Sequence, residues 1–335
     1  MRAIGVAVSV AIGVCLLFVL CACTAPLGTP SQFTLVQYPG AGFAGIYAQT
    51  AAARTSVDME MYELEDQREI TALIAAQRRG VSVRVLLDSA YEVKEANQPA
   101  YSTLARGRVA VRWAPSGTIY HAKVTTFDGK ASDISTANLT PRYYSATRDA
   151  EIVDTNPAQV GAIVQTFDHD WDGQAAAGDE VNTRGLVWSP DAESTMVDLI
   201  HSAKVSVRFT SEELSDPYIS NALADDALRG VRCEVVMMNE PDWQKAFGVV
   251  SQAGCTVRVL PDTPTGFYMH EKLLLVDSGE STAKMLLGSQ NASYSSLSFN
   301  RELSLELTEP ESPGILAAVR VTFDQDFAKA KPWSG

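Results

Sequence analysis

The chain has 335 residues, room for one large domain or two of ordinary size. It is 46% hydrophobic and 20% charged, which supports a packed core and excludes a disordered chain. Its net charge of −13 argues against general binding to nucleic acid, because an acidic surface repels phosphate backbones unless positive charge is focused locally.

Residues 3–22 are apolar or small, with Arg2 in front: the pattern of an export signal or a membrane anchor. The segment ends Leu20-Cys21-Ala22-Cys23 and resembles a bacterial lipobox, so residues 1–22 are expected to be a lipoprotein signal peptide and Cys23 the lipidated residue. An uncleaved anchor and plain secretion are the alternatives. Cleavage before Cys23 leaves 26 basic against 40 acidic residues. The mature chain is then expected on the extracytoplasmic face of the cell membrane, held there by lipid.

The body repeats itself. Residues 56–66 (SVDMEMYELED) read as a strand and loop, 69–88 as an amphipathic helix closing at Arg79-Gly80 and then a β-branched strand. Residues 204–216 (KVSVRFTSEELSD) and 218–238 repeat this order, the helix closing at Arg229-Gly230. TLARGRVAVRWAP and VSQAGCTVRVLPD each supply a helix end, a glycine and another strand. The halves close with strand-like 149–154 and 300–307, then helix-like AIVQTFDHDW and AAVRVTFDQDF. Two α/β units follow, 31–172 and 182–330, joined by a small, polar linker over 173–181. Each is expected to hold a mainly parallel sheet flanked by helices, the pair related by a pseudo-two-fold axis. Cys233 and Cys255 open strands that could be neighbours; a disulfide and two buried free thiols are both compatible with that placement.

Between these elements lie two copies of one motif. YHAKVTTFDGKASDISTANLT (120–140) carries His121, Lys123, Asp128 and, after a small-polar stretch, Asn138. MHEKLLLVDSGESTAKMLLGSQN (269–291) carries His270, Lys272, Asp277 and Asn291 at matching places. A lysine beside an imidazole on one strand face is costly unless something anionic lies between them. Two facing histidines suit a two-step displacement, one as nucleophile and one as general acid and base. Two lysines and two asparagines can hold a tetrahedral anion. A phosphodiester has that shape and charge, and the lysines leave no need for a metal or other cofactor.

H-x-K-x4-D followed by G-S-x-N, twice in one chain, resembles the phospholipase D superfamily over nearly the whole mature body. The resemblance implies a phosphohistidine intermediate, with His121 as nucleophile and His270 as general acid and base. It implies that Lys123, Lys272, Asn138 and Asn291 bind phosphoryl oxygens. It also implies an orienting carboxylate about thirty residues after each histidine, where Glu151 and Glu302 fall. Asp128 and Asp277 are expected to anchor turns. The first motif departs from the pattern with Ser135-Thr136 in place of Gly-Ser, a concern if that position needs a positive φ. Its span from Asp128 to Asn138 is also four residues shorter than that from Asp277 to Asn291.

The leader and the acidic surface favour phospholipase D-type hydrolysis of glycerophospholipid head groups, with transfer to an alcohol as a variant. An exported metal-independent nuclease, a cardiolipin synthase-like phosphatidyltransferase and a non-catalytic surface binding lipoprotein are the alternatives. A nuclease would need a basic track, for which Arg142, Arg148 and Arg301 are the candidates. Trp113, Tyr120, Tyr143, Tyr144, Phe267, Tyr268 and Met269 are candidates for a cleft mouth and equally for core packing. His169 reads as a surface helix residue and His201 as a helix-end residue. Two motifs in one chain imply a centre that a monomer completes.

Overall fold

Strand, loop, capped helix and strand open both halves. The computed structural model describes residues 31–90, 93–141, 145–174, 185–261 and 266–335. The leader, Cys23, Arg142, Tyr143, Tyr144 and residues 175–181 of the linker lie outside these. The first half runs β1 (Phe33–Gln37), α1 (Ala44–Ala52), β2 (Ser56–Met61), α2 (Gln67–Arg78), β3 (Ser82–Leu87), α3 (Val93–Arg106), β4 (Ala110–Trp113), β5 (Lys123–Phe127), β6 (Ala131–Ser135), β7 (Thr147–Arg148), β8 (Ala150–Asp154) and α4 (Pro157–Trp171). The second runs β9 (Leu186–Ser189), α5 (Ala192–His201), β10 (Ser206–Thr210), α6 (Pro217–Leu228), β11 (Arg232–Met238), α7 (Gln244–Gln252), β12 (Thr256–Leu260), β13 (Tyr268–Met269), β14 (Leu273–Val276), β15 (Lys284–Gly288), α8 (Tyr294–Ser298), β16 (Glu302–Thr308), α9 (Pro313–Lys329) and β17 (Lys331–Pro332).

Local chemistry sets the matching starts. Asp66 caps α2 by accepting from the amides of Arg68 and Glu69, and Asp216 caps α6 by accepting from those of Tyr218 and Ile219. Gly80 and Gly230, at φ +93° and +89°, then turn the chain back into β3 and β11.

The first sheet has the order β1-β8-β6-β5-β2-β3-β4, the second β17-β12-β11-β10-β14-β15-β16-β9. Most strands of each sheet point the same way; β5 and β8 run against the rest in the first, β14, β16 and β17 in the second. Parallel contacts within these sheets are confined to β2-β3-β4 and β10-β11-β12, the stretches connected through helices. The two motif strands, β5 and β14, instead sit antiparallel between neighbours. A short hairpin, not a crossover helix, follows each of them.

Asp128 and Asp277 hold the hairpin turns at φ +53° and +50°. Asp128 accepts the amides of Arg54, Thr55 and Ser56, and Asp277 those of Lys204, Val205 and Ser206. Each aspartate therefore ties its motif hairpin to the start of the adjacent strand. At Asp128 burial acts to raise the pKa, but the amide hydrogen bonds from Thr55, Ser56 and Arg54 outweigh it and hold the carboxyl near 2.

The inward faces of both sheets share one core, with Val124, Ile134 and Ile152 from the first and Met285, Leu287 and Leu305 from the second. Ile163 of α4 and Val319 and Phe323 of α9 join it. Separate cores lie beneath α1 and α2 in the first half and beneath α5 and α6 in the second. Cys233 on β11 and Cys255 just before β12 form a disulfide.

Gly288 is required by close approach: a Cβ there would lie 2.3 Å from the Leu303 carbonyl oxygen. Neither it nor Ser135 has a positive φ. The concern about Ser135 therefore does not apply, and the departure from Gly-Ser leaves the backbone of the first motif unstrained.

Candidate active site

The two motifs meet where each half lends backbone to the other. The His121 amide donates to the Arg301 carbonyl at 2.8 Å, and the His270 amide to the Arg148 carbonyl at 3.1 Å. Strand β13 pairs with β7, and Tyr120 bridges to Arg301 in the same parallel sense. These exchanges are related by the pseudo-two-fold axis. They place each motif histidine beside the β8 or β16 end of the opposite half.

His121 Nδ1 lies 2.7 Å from Glu302 Oε2, and His270 Nδ1 lies 2.7 Å from Asp149 Oδ1. Each imidazole thus borrows its carboxylate from the other half, and each pairing fixes the tautomer that presents Nε2 to the site. Glu302 is held by Ser296 Oγ at 2.6 Å and Asn300 Nδ2 at 3.0 Å. Asp149 is held by Thr136 Oγ1 at 2.6 Å. Burial favours the neutral form of both carboxyls, but His121 and Lys123 outweigh it at Glu302, and His270 and Lys272 at Asp149, so both lie below the usual carboxylate range.

Glu151 is not at the site. The sequence placed it beside His121's motif by counting about thirty residues; in the structure it lies next to α1, with the Tyr38 hydroxyl donating to it at 2.6 Å and Gly45 beside it. Strand register explains the offset: Ser135 pairs with Glu151, whereas Gly288 pairs with Ser304. Asp149, two residues earlier, is therefore the structural counterpart of Glu302. The interval from His270 to Glu302 is four residues longer than that from His121 to Asp149, the same four by which the second hairpin exceeds the first. That hairpin difference was the signal that could have found Asp149.

The lysines fold back alike. Lys123 Nζ donates to the His121 carbonyl and Lys272 Nζ to the His270 carbonyl, both at 2.6 Å. Burial and the neighbouring Lys272 lower Lys123 to about 7. Burial also lowers His121, with help from Lys123 and against the pull of Glu302. Asn138, after β6, has a buried Oδ1 with no hydrogen-bond partner among the described residues. Asn291 Nδ2 lies 3.4 Å from Glu212 Oε2.

Two residues absent from the sequence reading complete the walls. The ring of Tyr62 packs edge-on against His121, centroids 4.5 Å apart, and Lys123 Nζ lies 5.0 Å over it. Glu212 stands at the same place in the second half: its carboxylate lies 3.0 Å from Lys272 Nζ and 3.3 Å from His270 Nε2, and accepts from the Tyr268 hydroxyl at 2.5 Å.

The remaining candidates divide. Tyr268 is at the site through Glu212. Tyr120 and Met269 are buried beside the motifs, and Phe267 lies under the Arg148 guanidinium. Trp113 stacks on Tyr101 at the far edge of the first sheet. Arg148 and Arg301 are buried in ion pairs with Asp326 and Asp170, so they form no basic track. His201 pairs with Asp226, and His169 lies on α4. Among the described residues, no group of three or more His, Cys, Asp or Glu is arranged to hold a metal ion.

This duplicated fold with paired H-x-K motifs defines a class, and comparison with known proteins places the chain within it. A family described as "Cardiolipin synthase, PLD-like domain" matches residues 46–171 and 196–327, more than half of the chain. The chain belongs to this family and so to the phospholipase D superfamily. It is 24% identical over 158 residues to the mitochondrial cardiolipin hydrolase of Danio rerio, covering 47% of this chain and 64% of that one. It thus spans less than two thirds of that relative. Its fold is similar to that of a phosphatidylserine synthase from Haemophilus influenzae, at TM-score 0.68 and 13% identity over 90% of this chain and 87% of that one. It is also similar to a polyphosphate kinase from Porphyromonas gingivalis, at TM-score 0.64 and 15% identity over 88% of this chain and 50% of that one.

Proposed function

We propose that the protein is a phospholipase D-type phosphodiesterase that hydrolyses glycerophospholipid head groups. The observation that carries this is the reciprocal pairing of the two motif histidines with carboxylates, His121 with Glu302 and His270 with Asp149, around two buried lysines. His121 is kept neutral by burial and carries its Nδ1 proton towards Glu302, so the Nε2 lone pair is the nucleophile. Nε2 attacks phosphorus, the bond from phosphorus to the head-group oxygen breaks, and His270 donates a proton to that oxygen. The head-group alcohol leaves and a phosphatidyl group remains on His121. His270 then takes a proton from water, whose oxygen attacks phosphorus; the P–N bond breaks and phosphatidic acid is released. Lys123, Lys272, Asn138 and Asn291 stabilise the charge on the non-bridging oxygens. An alcohol in place of water in the second step gives transfer.

The proposed setting is the extracytoplasmic membrane face, with a lipid on Cys23 holding a monomer at its substrate. The test incubates the purified protein with mixed phospholipid vesicles and, separately, with single-stranded DNA, with chelator present. Free head group and phosphatidic acid, both lost in His121→Ala and His270→Ala, are the expected outcome. DNA cleavage with untouched lipid, lost in the same variants, would make the protein a nuclease. No turnover of either would overturn the hydrolase reading.

A further inference from the structure

The two half-sites differ at one wall position, and the difference is chemical. Strand for strand, Ser56 matches Ser206 and Asp66 matches Asp216, so Tyr62 matches Glu212. The loops carrying them are pinned alike. The amides of Glu65 and Asp66 donate to the Leu139 carbonyl, and those of Ser215 and Asp216 to the Ala292 carbonyl. Leu64 bridges to Leu139 as Leu214 does to Ala292. With the backbones equivalent, the side chain decides what fills the space in front of each motif lysine. In the first half it is the face of an aromatic ring. In the second it is a carboxylate whose Oε2 lies near Lys272 Nζ at 3.0 Å, His270 Nε2 at 3.3 Å and Asn291 Nδ2 at 3.4 Å.

Those three atoms are the ones that the proposed reaction assigns to the second half of the phosphate cradle and to the proton donor. We propose that Glu212 is an internal stand-in for the substrate anion: its carboxylate occupies the phosphoryl-oxygen position of the second half-site, and a phosphodiester binds only by displacing it. The proposal rests on the phosphodiesterase reading for its role, but on the Glu212 contacts for its geometry.

The physical consequences are specific. With Glu212 in place, the donor face of His270 is directed at a carboxylate and not at a leaving group. A phosphate oxygen entering the cradle meets the Glu212 carboxylate, 3.0 Å from Lys272 Nζ and 3.3 Å from His270 Nε2, and two anions competing for the same partners repel one another. Burial pushes the Glu212 carboxyl up, but Lys272 and His270 outweigh it and hold the group well below its usual range, so the plug is charged at neutral pH. In the first half-site the equivalent position is Tyr62, which puts an aromatic face and not a carboxylate in front of Lys123. Anions with two charges, such as inorganic phosphate, are rejected more strongly than a singly charged diester. Glu212 thereby also lowers inhibition by free phosphate.

The experiment is calorimetric titration with inorganic phosphate of the wild-type protein, Glu212→Gln and Glu212→Tyr. The last variant installs the first half's own residue. The expected result is that both variants bind phosphate about tenfold or more tightly than wild type, about 1.4 kcal/mol. Equal or weaker binding in a folded variant overturns the proposal, since it would make Glu212 a support for Lys272 and not an occupant of its site. Wild-type crystals grown with phosphate supply a readout that needs no variant. Phosphate on Lys272 and Asn291 with Glu212 rotated away is expected; phosphate there with Glu212 unmoved overturns the proposal. Both readouts measure binding and not turnover, so failure of the phosphodiesterase reading would leave them interpretable, and their failure would leave that reading standing.

Discussion

At His121, burial and Lys123 pull the imidazole below its ordinary range and Glu302 pulls the other way, with the net effect downward. A nucleophile must be neutral, so lowering its pKa extends the working range towards acid. The acid limb of kcat/KM on a synthetic phosphodiester is therefore expected below about pH 6.5, the ordinary histidine value. A limb clearly above that value would count against His121 as the nucleophile. The orienting carboxylates make a sharper test. Asp149→Asn and Glu302→Gln are expected to lower kcat by on the order of 10²–10⁴-fold, as removal of an orienting carboxylate does in related logic. Glu151→Gln, which touches Tyr38 beside α1 and neither motif histidine, is expected to stay within about threefold of wild type in kcat, any cost of altering this buried group falling on stability and not on rate. Equal losses in all three would restore the role that residue counting gave Glu151. The histidines and lysines were legible in the sequence because H-x-K depends only on strand alternation. The carboxylates were not, because their distance from the histidine includes a hairpin whose length differs between the halves. Tyr62 and Glu212 were also hidden. Their loops do repeat, YELED (62–66) against EELSD (212–216), but the wall position is where they differ, so no shared residue marks it, and only the superposition of the two halves sets it opposite the lysines.

At the level of elements, the second half relies on a bond that the first lacks. Cys233 and Cys255 tie β11 to the entry of β12 and close a loop spanning 22 residues. In the loop-entropy picture, such a closure contributes about 3 kcal/mol by restricting the unfolded chain. The double variant Cys233→Ser, Cys255→Ser is expected to lose about that much in denaturant unfolding, with the first half's β3 and β4 unaffected. A change below about 0.5 kcal/mol would mean that the unfolded chain is already compact there. The sequence left bridged and free thiols equally open. Two glycine-preceded strand starts suggest neighbours, but only the pairing of Glu234 with Thr256 brings the cysteines beside each other. The expectation of mainly parallel sheets was legible from alternating strands and helices. The antiparallel insertion of β5 and β14 was not, because apolar runs such as Leu273–Val276 look the same in either direction.

Across the whole molecule, the halves are joined by exchange as well as by apolar contact. Arg148 of the first half reaches Asp326 on α9, and Arg301 of the second reaches Asp170 on α4. All four side chains are buried, and these arginines also present the carbonyls that accept the His270 and His121 amides. Buried pairs of this kind add little net stability but are costly to break singly, at about 3–5 kcal/mol, because one charge is then left without a partner in the interior. They therefore act to set one docking geometry over others. That geometry puts Glu302 on His121 and Asp149 on His270, so neither half contains a complete histidine–carboxylate pair. Residues 31–172 expressed alone should then show no phosphodiesterase activity even where they keep their secondary structure. Co-expression with residues 182–335 should restore activity, and Glu302→Gln placed only in the second fragment should abolish the restored activity through His121 in the first. Activity in the isolated first fragment would mean that its histidine finds another carboxylate, or that two first halves pair around the same axis. A concentration series separates these outcomes, because activity from a pair of first halves rises with the square of fragment concentration and activity from a single fragment rises linearly.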